Sequence, residues 1–399
     1  MKKILIFSHA LEIGGAERAL LGLLEAIDTT EYQVDLFLMR HSGELMPYIP
    51  EKINLLPEIP AYSSMAIPVA DVIRKKQIGV ALGRLVGKRK AARRVKKLEL
   101  PADNDVALEY SHKYTVRYMP KISDTEYDLA ISFLTPHYYV AEKVTAHKKA
   151  AFIHTDYSAV AVDTASQLPM WARYDRIFAV SDRAADSFVS IFPSLSDRVG
   201  IMENIMPLQL LAEMTDAFPV EAEMPDDGSI RLLSVGRYTR AKNFDNVPDI
   251  CRRLLAKGVN VKWYLIGFGG DEGLIRRKIT EAGMEEHVVI LGKKDNPYPY
   301  IKACDLYVQP SRYEGKCVAV REAQMLHKPV VITNYTTSAS QLTDGCDGVI
   351  VRMDNESCAE GIASVIRDAA LRNRLIANTE QSDYSNAGEI EKLYELTER

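Results

Sequence analysis

The sequence predicts an α/β protein made of two Rossmann-like, doubly wound parallel-sheet domains in tandem. Short apolar runs alternate with longer segments of helical period, as strands alternate with helices in parallel sheets. The alternation restarts after a proline-rich stretch in mid-chain. The length of 399 residues suits about two domains, each with its own core.

In the first half, Lys3–Ser8, Val34–Leu38, Leu129–Phe133, Ala150–Ile153 and Arg176–Val180 read as strands. Each is too short for a helix and mostly apolar, as a strand covered on both faces requires. In the second half Ile230–Val235, Val261–Ile266, Val288–Leu291, Leu306–Gln309 and Val330–Thr333 repeat the pattern. The boundary falls where Pro207, Pro219 and Pro225 sit among acidic and small residues. This gives an N-terminal domain over residues 1–206, a linker over 207–228 and a C-terminal domain over 229–381. Ile390, Leu393, Tyr394 and Leu396 give an apolar face to a final helix over 382–399.

Composition excludes several classes. At 47% hydrophobic and 26% charged the chain is neither disordered nor collagen-like. Its five cysteines form no C-x-x-C pair and read as reduced intracellular thiols. Lys2-Lys3 followed by the short run Ile4–Phe7 reads as a first strand rather than a signal peptide. No stretch reaches the roughly 18 apolar residues of a spanning helix. The net charge of −4 is uneven: residues 74–97 hold eleven of the 50 Lys and Arg and no Asp or Glu, leaving 39 basic against 54 acidic residues elsewhere. Ile78, Val80, Leu82, Leu85, Val86 and Val95 are interleaved with those cations, which predicts a helix lying on an anionic bilayer. A solvated insertion is the alternative. Nucleic acid is disfavoured because no aromatic platform accompanies the charge. Gly79, Gly83 and Gly87 lower the helix propensity of this segment.

Three constellations point to chemistry. Gly14-Gly15-Ala16-Glu17-Arg18 lies between the first strand and an apolar helix, where backbone amides can approach an anion; it reads equally as a structural turn. Gly236-Arg237 and Lys242 follow the strand Ile230–Val235, at the sheet edge where open α/β proteins bind ligands, and suit a phosphate. Finally, a strand ends at Gln309, a loop carries Glu314 and Gly315, and a helix starts near Val318 with Glu322 one turn inside. Amides at that helix start can hold a phosphate. Carboxylates repel phosphates, so the partners of Glu314 and Glu322 are sugar hydroxyls, and a diphosphate between two polyols is a nucleotide sugar.

With these residues in view, the sequence resembles glycosyltransferase family 4, retaining enzymes of GT-B fold. Gly14–Arg18 resembles the family's G-G-x-E-R, Gly236-Arg237 with Lys242 its G-R-x-x-x-x-K, and Glu314 to Glu322 its E-x7-E. Gly267-Phe268-Gly269-Gly270, His154-Thr155-Asp156, Ser181 and Asn204 are lesser matches. The resemblance implies two domains facing each other across a cleft, with the C-terminal helix crossing back to the N-terminal domain. It implies that Arg237 and Lys242 neutralise the departing diphosphate, that Glu314 contacts the donor sugar, and that Glu322 accepts from ribose. Gly236, Gly267, Gly315, Lys316, Cys317 and Val318 would line the donor site, with the nucleobase near Lys293 and Lys294. Gly15 would close over the diphosphate and His154 would meet the sugar.

The implied activity is hexosyltransferase-type: transfer from a nucleotide sugar, UDP-sugar first, to a saccharide hydroxyl. A lipid-linked acceptor of capsule or exopolysaccharide synthesis at the cytoplasmic face of the plasma membrane would fit the basic segment. The front-face route attributed to the family needs neither metal nor cofactor. A nucleotide-sugar 2-epimerase and a non-catalytic donor-binding protein are the rival readings. Lys316-Cys317 departs from the aromatic or proline common in relatives and leaves the donor sugar open. Cys317 reads as a packing residue whose one argument for reactivity is the helix dipole. His9, His41, His112, His137 and His327 show no metal-ligand spacing and read as structural or surface residues; His137 lies on the side where an acceptor would sit. Trp171 and Trp263 read as core. Asp103-Asn104-Asp105 superficially resembles a metal-binding D-x-D but reads as a surface turn.

Overall fold

The computed structural model describes residues 1–100, 104–314 and 316–398 and divides at Pro207 into two units, each built on one parallel sheet. The first sheet contains β1 (Lys2–Ser8), β2 (Tyr32–Leu38), β3 (Asn54–Leu55), β4 (Glu126–Ser132), β5 (Thr145–Ile153), β6 (Arg176–Ala179) and β7 (Val199–Ile201). The second contains β8 (Ile230–Val235), β9 (Val261–Ile266), β10 (Val288–Gly292), β11 (Leu306–Gln309), β12 (Val330–Thr333) and β13 (Val349–Val351). Strand order is β3-β2-β1-β4-β5-β6-β7 in one and β10-β9-β8-β11-β12-β13 in the other. Both sheets therefore reverse direction beside their first strand, at β1/β4 and β8/β11. Such switch points open a crevice at the carboxyl ends of the strands.

All ten predicted runs are strands. The three that sequence reasoning missed, β3, β7 and β13, are two or three residues long and lie at sheet edges. Short edge strands bury little and carry no continuous apolar run.

The predicted linker over 207–228 is corrected: Leu208–Thr215 is a helix within the second unit. The Met214 carbonyl accepts from Asn296 Nδ2 at 2.6 Å, and Lys294 Nζ lies 2.6 Å from Glu223 Oε1. Asp216, Glu223 and Asp227 of this stretch pair with Lys302, Lys294 and Lys262 of the second unit, which composition alone does not reveal. At the other end the chain returns to the first unit from Asn386 on. Tyr394 stacks on Tyr32 with ring centroids 4.6 Å apart, its hydroxyl accepts from the Asp28 amide at 2.8 Å, and Leu393 is buried.

The basic segment is a 21-residue helix, Ile78–Leu98, packed against the helix Val106–Thr115. Its three glycines are the reason it packs so closely. A Cβ at Gly83 would lie 2.6 Å from the Tyr114 carbonyl oxygen, and one at Gly87 2.6 Å from that of Tyr110. Tertiary contact thus outweighs their low helix propensity. Three of the cations are structural or locally paired. Arg84 donates to the Ser64 and Ile67 carbonyls, Arg94 Nε lies 2.6 Å from Asp163 Oδ2, and Arg74 pairs with Asp71. No helix among the described residues is long and apolar enough to cross a membrane.

Candidate active site

The β8/β11 switch point brings the second and third constellations together. Leu232 and Leu233 of β8 pair with Leu306 and Tyr307 of β11, so the loops after these strands leave the sheet side by side. After β8 the chain turns through Arg240–Lys242 to Asn243, whose φ is +62°. Asparagine tolerates that left-handed conformation better than most residues. Its buried side chain donates to the Pro310 carbonyl at 2.8 Å and ties one loop to the other. Arg312 adds a two-point pairing with Asp245, both contacts at 2.8 Å.

That anchoring places Lys242 Nζ 2.6 Å from Glu314 Oε1 and 3.6 Å from Cys317 Sγ. Gly236 makes room for the lysine stem, since a Cβ there would meet Lys242 Cε at 3.1 Å. Burial disfavours the ammonium charge, but the adjacent Cys317 sulfur and Glu314 carboxylate outweigh it and hold the Lys242 pKa above the ordinary lysine value. Glu314 is held from behind. The buried side chains Tyr307, Gln309 and Ser311 form a hydrogen-bonded relay with steps of 2.9 and 2.9 Å, and Ser311 Oγ donates to Glu314 Oε1 at 2.6 Å. Thr337 Oγ1 donates to the Glu314 carbonyl at 2.8 Å. Asn243, Gln309, Ser311 and Thr337 are the supporting residues to which sequence reasoning gave no role. Gln309 carried one signal, a polar residue ending an otherwise apolar strand.

The helix Val318–Met325 starts beside this pair. The Cys317 amide is already taken, donating to Gln341 Oε1 at 2.7 Å, so it is not an open donor for a ligand. Burial pushes the Cys317 thiol up to about 11, with the Lys242 charge opposing, which makes it a packing residue rather than a nucleophile. Glu322 is fully buried and its Oε1 accepts from the Tyr298 hydroxyl at 2.9 Å. Lys316 and Val318 are half-buried; Gly315 lies outside the described residues.

Arg237 is exposed, and its guanidinium makes no hydrogen bond or ion pair with the described residues. Gly267, with φ +153°, follows β9, and a Cβ there would fall 1.9 Å from the Gly236 carbonyl oxygen. The β8 and β9 loops therefore touch backbone to backbone, with the Gly236 amide donating to Ile266 at 3.0 Å. Lys293 sits 5.8 Å from the Phe268 ring centroid, whereas Lys294 is tied to Glu223.

The remaining predicted residues belong to the first unit. Gly15 opens the helix Gly15–Ala26 after β1, and neither it nor Gly14 has a positive φ, so backbone strain does not require glycine there. Ser181 caps the helix Asp182–Ile191 through the Ala184 amide. His154 Nε2 is 3.1 Å from the Phe133 carbonyl, and burial lowers its pKa to about 4. Trp171 and Trp263 are fully buried core. Asp103 of the D-x-D lies outside the described residues, and Asn104 Oδ1 accepts from the Val106 amide at 3.2 Å, a turn contact. Among the described residues no three His, Cys, Asp or Glu side chains are grouped to hold a metal.

Residues 220–382 match the family model for glycosyl transferases group 1. A lipopolysaccharide core biosynthesis glycosyltransferase, LpsE, of Rhizobium meliloti is 26% identical over 200 residues, 48% of this chain and 57% of that protein. An N-acetylgalactosamine-N,N'-diacetylbacillosaminyl-diphospho-undecaprenol 4-alpha-N-acetylgalactosaminyltransferase of Campylobacter jejuni is 31% identical over 143 residues, 35% of this chain and 38% of that protein. The chain thus spans between about a third and three fifths of the length of these curated relatives. Anabaena HepE, solved in complex with UDP-glucose, superposes with a TM-score of 0.65 at 15% identity, over 99% of both chains. The fold is that of the GT-B glycosyltransferases.

Proposed function

We propose that this protein is a glycosyltransferase of polysaccharide biosynthesis that moves a sugar from a nucleotide sugar, UDP-sugar first, to a hydroxyl of a saccharide acceptor. The observation that carries this reading is the Lys242–Glu314 pair, 2.6 Å apart at the β8/β11 switch point, with Arg237 on the same loop. A cation for diphosphate oxygens and a carboxylate for sugar hydroxyls stand side by side, backed by a buried relay that fixes the carboxylate.

The reaction proceeds with retention. The anomeric carbon–phosphate oxygen bond breaks, the acceptor oxygen bonds to the same face of that carbon, and the hydroxyl proton passes to the leaving phosphate. Lys242 and Arg237 balance the charge that develops on the diphosphate, so no metal is needed. Glu322 holds the ribose, and His154 meets the donor sugar. Arg237→Ala is expected to lower turnover at least tenfold, or about 1.4 kcal/mol of transition-state stabilisation, while EDTA leaves the rate unchanged. Incubation with a UDP-sugar alone should release UDP slowly. An epimerised donor, or a rate abolished by EDTA, would overturn the assignment.

The acceptor is lipid-linked and the helix Ile78–Leu98 lies along an anionic bilayer at the inner face of the plasma membrane. Ile78, Leu82 and Leu85 are exposed on its first half, and Lys88, Arg89, Arg93, Lys96 and Lys97 on its second. Apolar contact plus roughly 1 kcal/mol per cation near the headgroups supports such docking. The protein should sediment with phosphatidylglycerol vesicles at low salt, and substituting glutamine at Lys88, Arg89 and Arg93 together should release it. Equal sedimentation of both proteins, or none of either, would leave the helix a solvated face.

A further inference from the structure

At the amino ends of β8, β11 and β12, opposite the end that carries Lys242 and Glu314, the second unit contains a cavity of about 330 Å³. That size falls within the range of small-molecule pockets, roughly 300–1,000 Å³. Ile230, Leu306 and Ile376 give it apolar lining, while His327, Lys328 and Arg372 supply nitrogen donors. Among the described lining residues Asp305 alone is acidic, and it is paired with Arg231 through two side-chain contacts of 3.2 Å. The positive charge of Lys328 and Arg372 is therefore not cancelled within the cavity.

The backbone at the rim is unusual in a second way. The helix Val318–Met325 closes at His327, whose φ is +54°, with the His327 amide donating to the Gln324 carbonyl and the Lys328 amide to that of Ala323, both at 2.9 Å. Two other helices of the second unit, Val247–Ala256 and Glu272–Ala282, close with the same pair of hydrogen bonds. Both put glycine at the left-handed position, Gly258 at φ +74° and Gly283 at +64°. Glycine is the ordinary choice there because a Cβ disfavours that conformation. His327 thus bears a backbone cost that the helix end does not require. Its exposed imidazole and the half-buried Lys328 ammonium make no hydrogen bond or ion pair with the described residues. Arg372 is anchored instead. Its Nη1 donates to the Val365 carbonyl at 2.9 Å and to that of Ile366, at the end of the helix Asn355–Arg367, which leaves Nε and Nη2 without a partner among the described residues.

We infer that this cavity binds a small phosphorylated metabolite, with His327, Lys328 and Arg372 donating to the phosphate and the apolar lining meeting its carbon body. Three donors on separate arms suit the oxygens of a tetrahedral phosphate. A carboxylate, with two oxygens in one plane, is matched by the guanidinium fork alone. Occupancy of this cavity does not require the transferase activity proposed above, since the two sites lie at opposite ends of the same strands.

The test titrates the full chain calorimetrically with glycerol 3-phosphate, glycerate and glycerol. Glycerol 3-phosphate is expected to bind, glycerate to bind about tenfold more weakly and glycerol not to bind, since each lost charge-assisted hydrogen bond is worth about a factor of ten. Lys328→Gln and His327→Gly should each weaken glycerol 3-phosphate by about the same factor. His327→Gly should do so without lowering the thermal midpoint, because it restores the residue that the left-handed position favours. Lys242→Ala, which removes a cation from the candidate donor site, should bind glycerol 3-phosphate as the unsubstituted protein does. Absence of binding, equal binding of glycerate, unchanged affinity in either cavity variant, or a lowered midpoint in His327→Gly would overturn the site. Loss of binding in folded Lys242→Ala would place the anion at the other end of the strands and overturn it as well. A protein that binds glycerol 3-phosphate here yet turns over no UDP-sugar would instead strike the transferase reading and leave the cavity standing.

Discussion

Lys242→Ala is expected to lower turnover with a UDP-sugar about 100-fold, the scale of losing one preorganised charge partner of a developing anion. The ammonium is already positioned, held at 2.6 Å from Glu314, so little reorganisation is needed when a diphosphate replaces the carboxylate as its partner. Removing it also leaves Glu314, only 11% exposed, without its cation. Breaking one side of a largely buried pair costs more than removing both sides. The double variant Lys242→Met with Glu314→Gln should therefore lose less stability in urea than the two single losses added together, while remaining inactive. Turnover within threefold of the unsubstituted protein for Lys242→Ala would remove the pair from the chemistry.

Gly267→Ala is expected to destabilise the second unit by about 3 kcal/mol, at the upper end for a forced fit against backbone. The added Cβ would fall 1.9 Å from the Gly236 carbonyl oxygen, and φ is +153°. Neither partner is a flexible side-chain end, so the β8 and β9 loops must separate, and Lys242 moves with the first of them. A shift of roughly 6–12 °C in the thermal midpoint follows for a unit of this size. Gly270→Ala, three residues on with nothing within 4 Å of the added atom, is the matched control and should leave the midpoint nearly unchanged. Equal midpoints for the two variants would show that the loops yield without cost.

The two domains and ten of the strands were legible because strands covered on both faces must be apolar along their length, a signal carried by consecutive residues. The edge strands β3, β7 and β13 lacked that signal. Leu208–Thr215 looked like linker because prolines and acidic residues flank it, and only the cations opposite them, Lys294 and Lys302, reveal that it is docked. The glycines of the basic segment looked like helix breakers, yet Gly83 and Gly87 are where the neighbouring helix comes closest. In the site, Lys242 and Glu314 were recognisable from loop chemistry at strand ends. Gln309, Ser311 and Thr337 were not, because a hydrogen-bond relay has no spacing in one dimension.

By itself the sequence determined the strand alternation, the charge segregation and the residue types of the proposed diphosphate and sugar site, since each is written in neighbouring residues. Tertiary structure alone decided which of those residues meet. Lys242 and Glu314 are 72 positions apart and become partners because β8 and β11 are adjacent at the switch point.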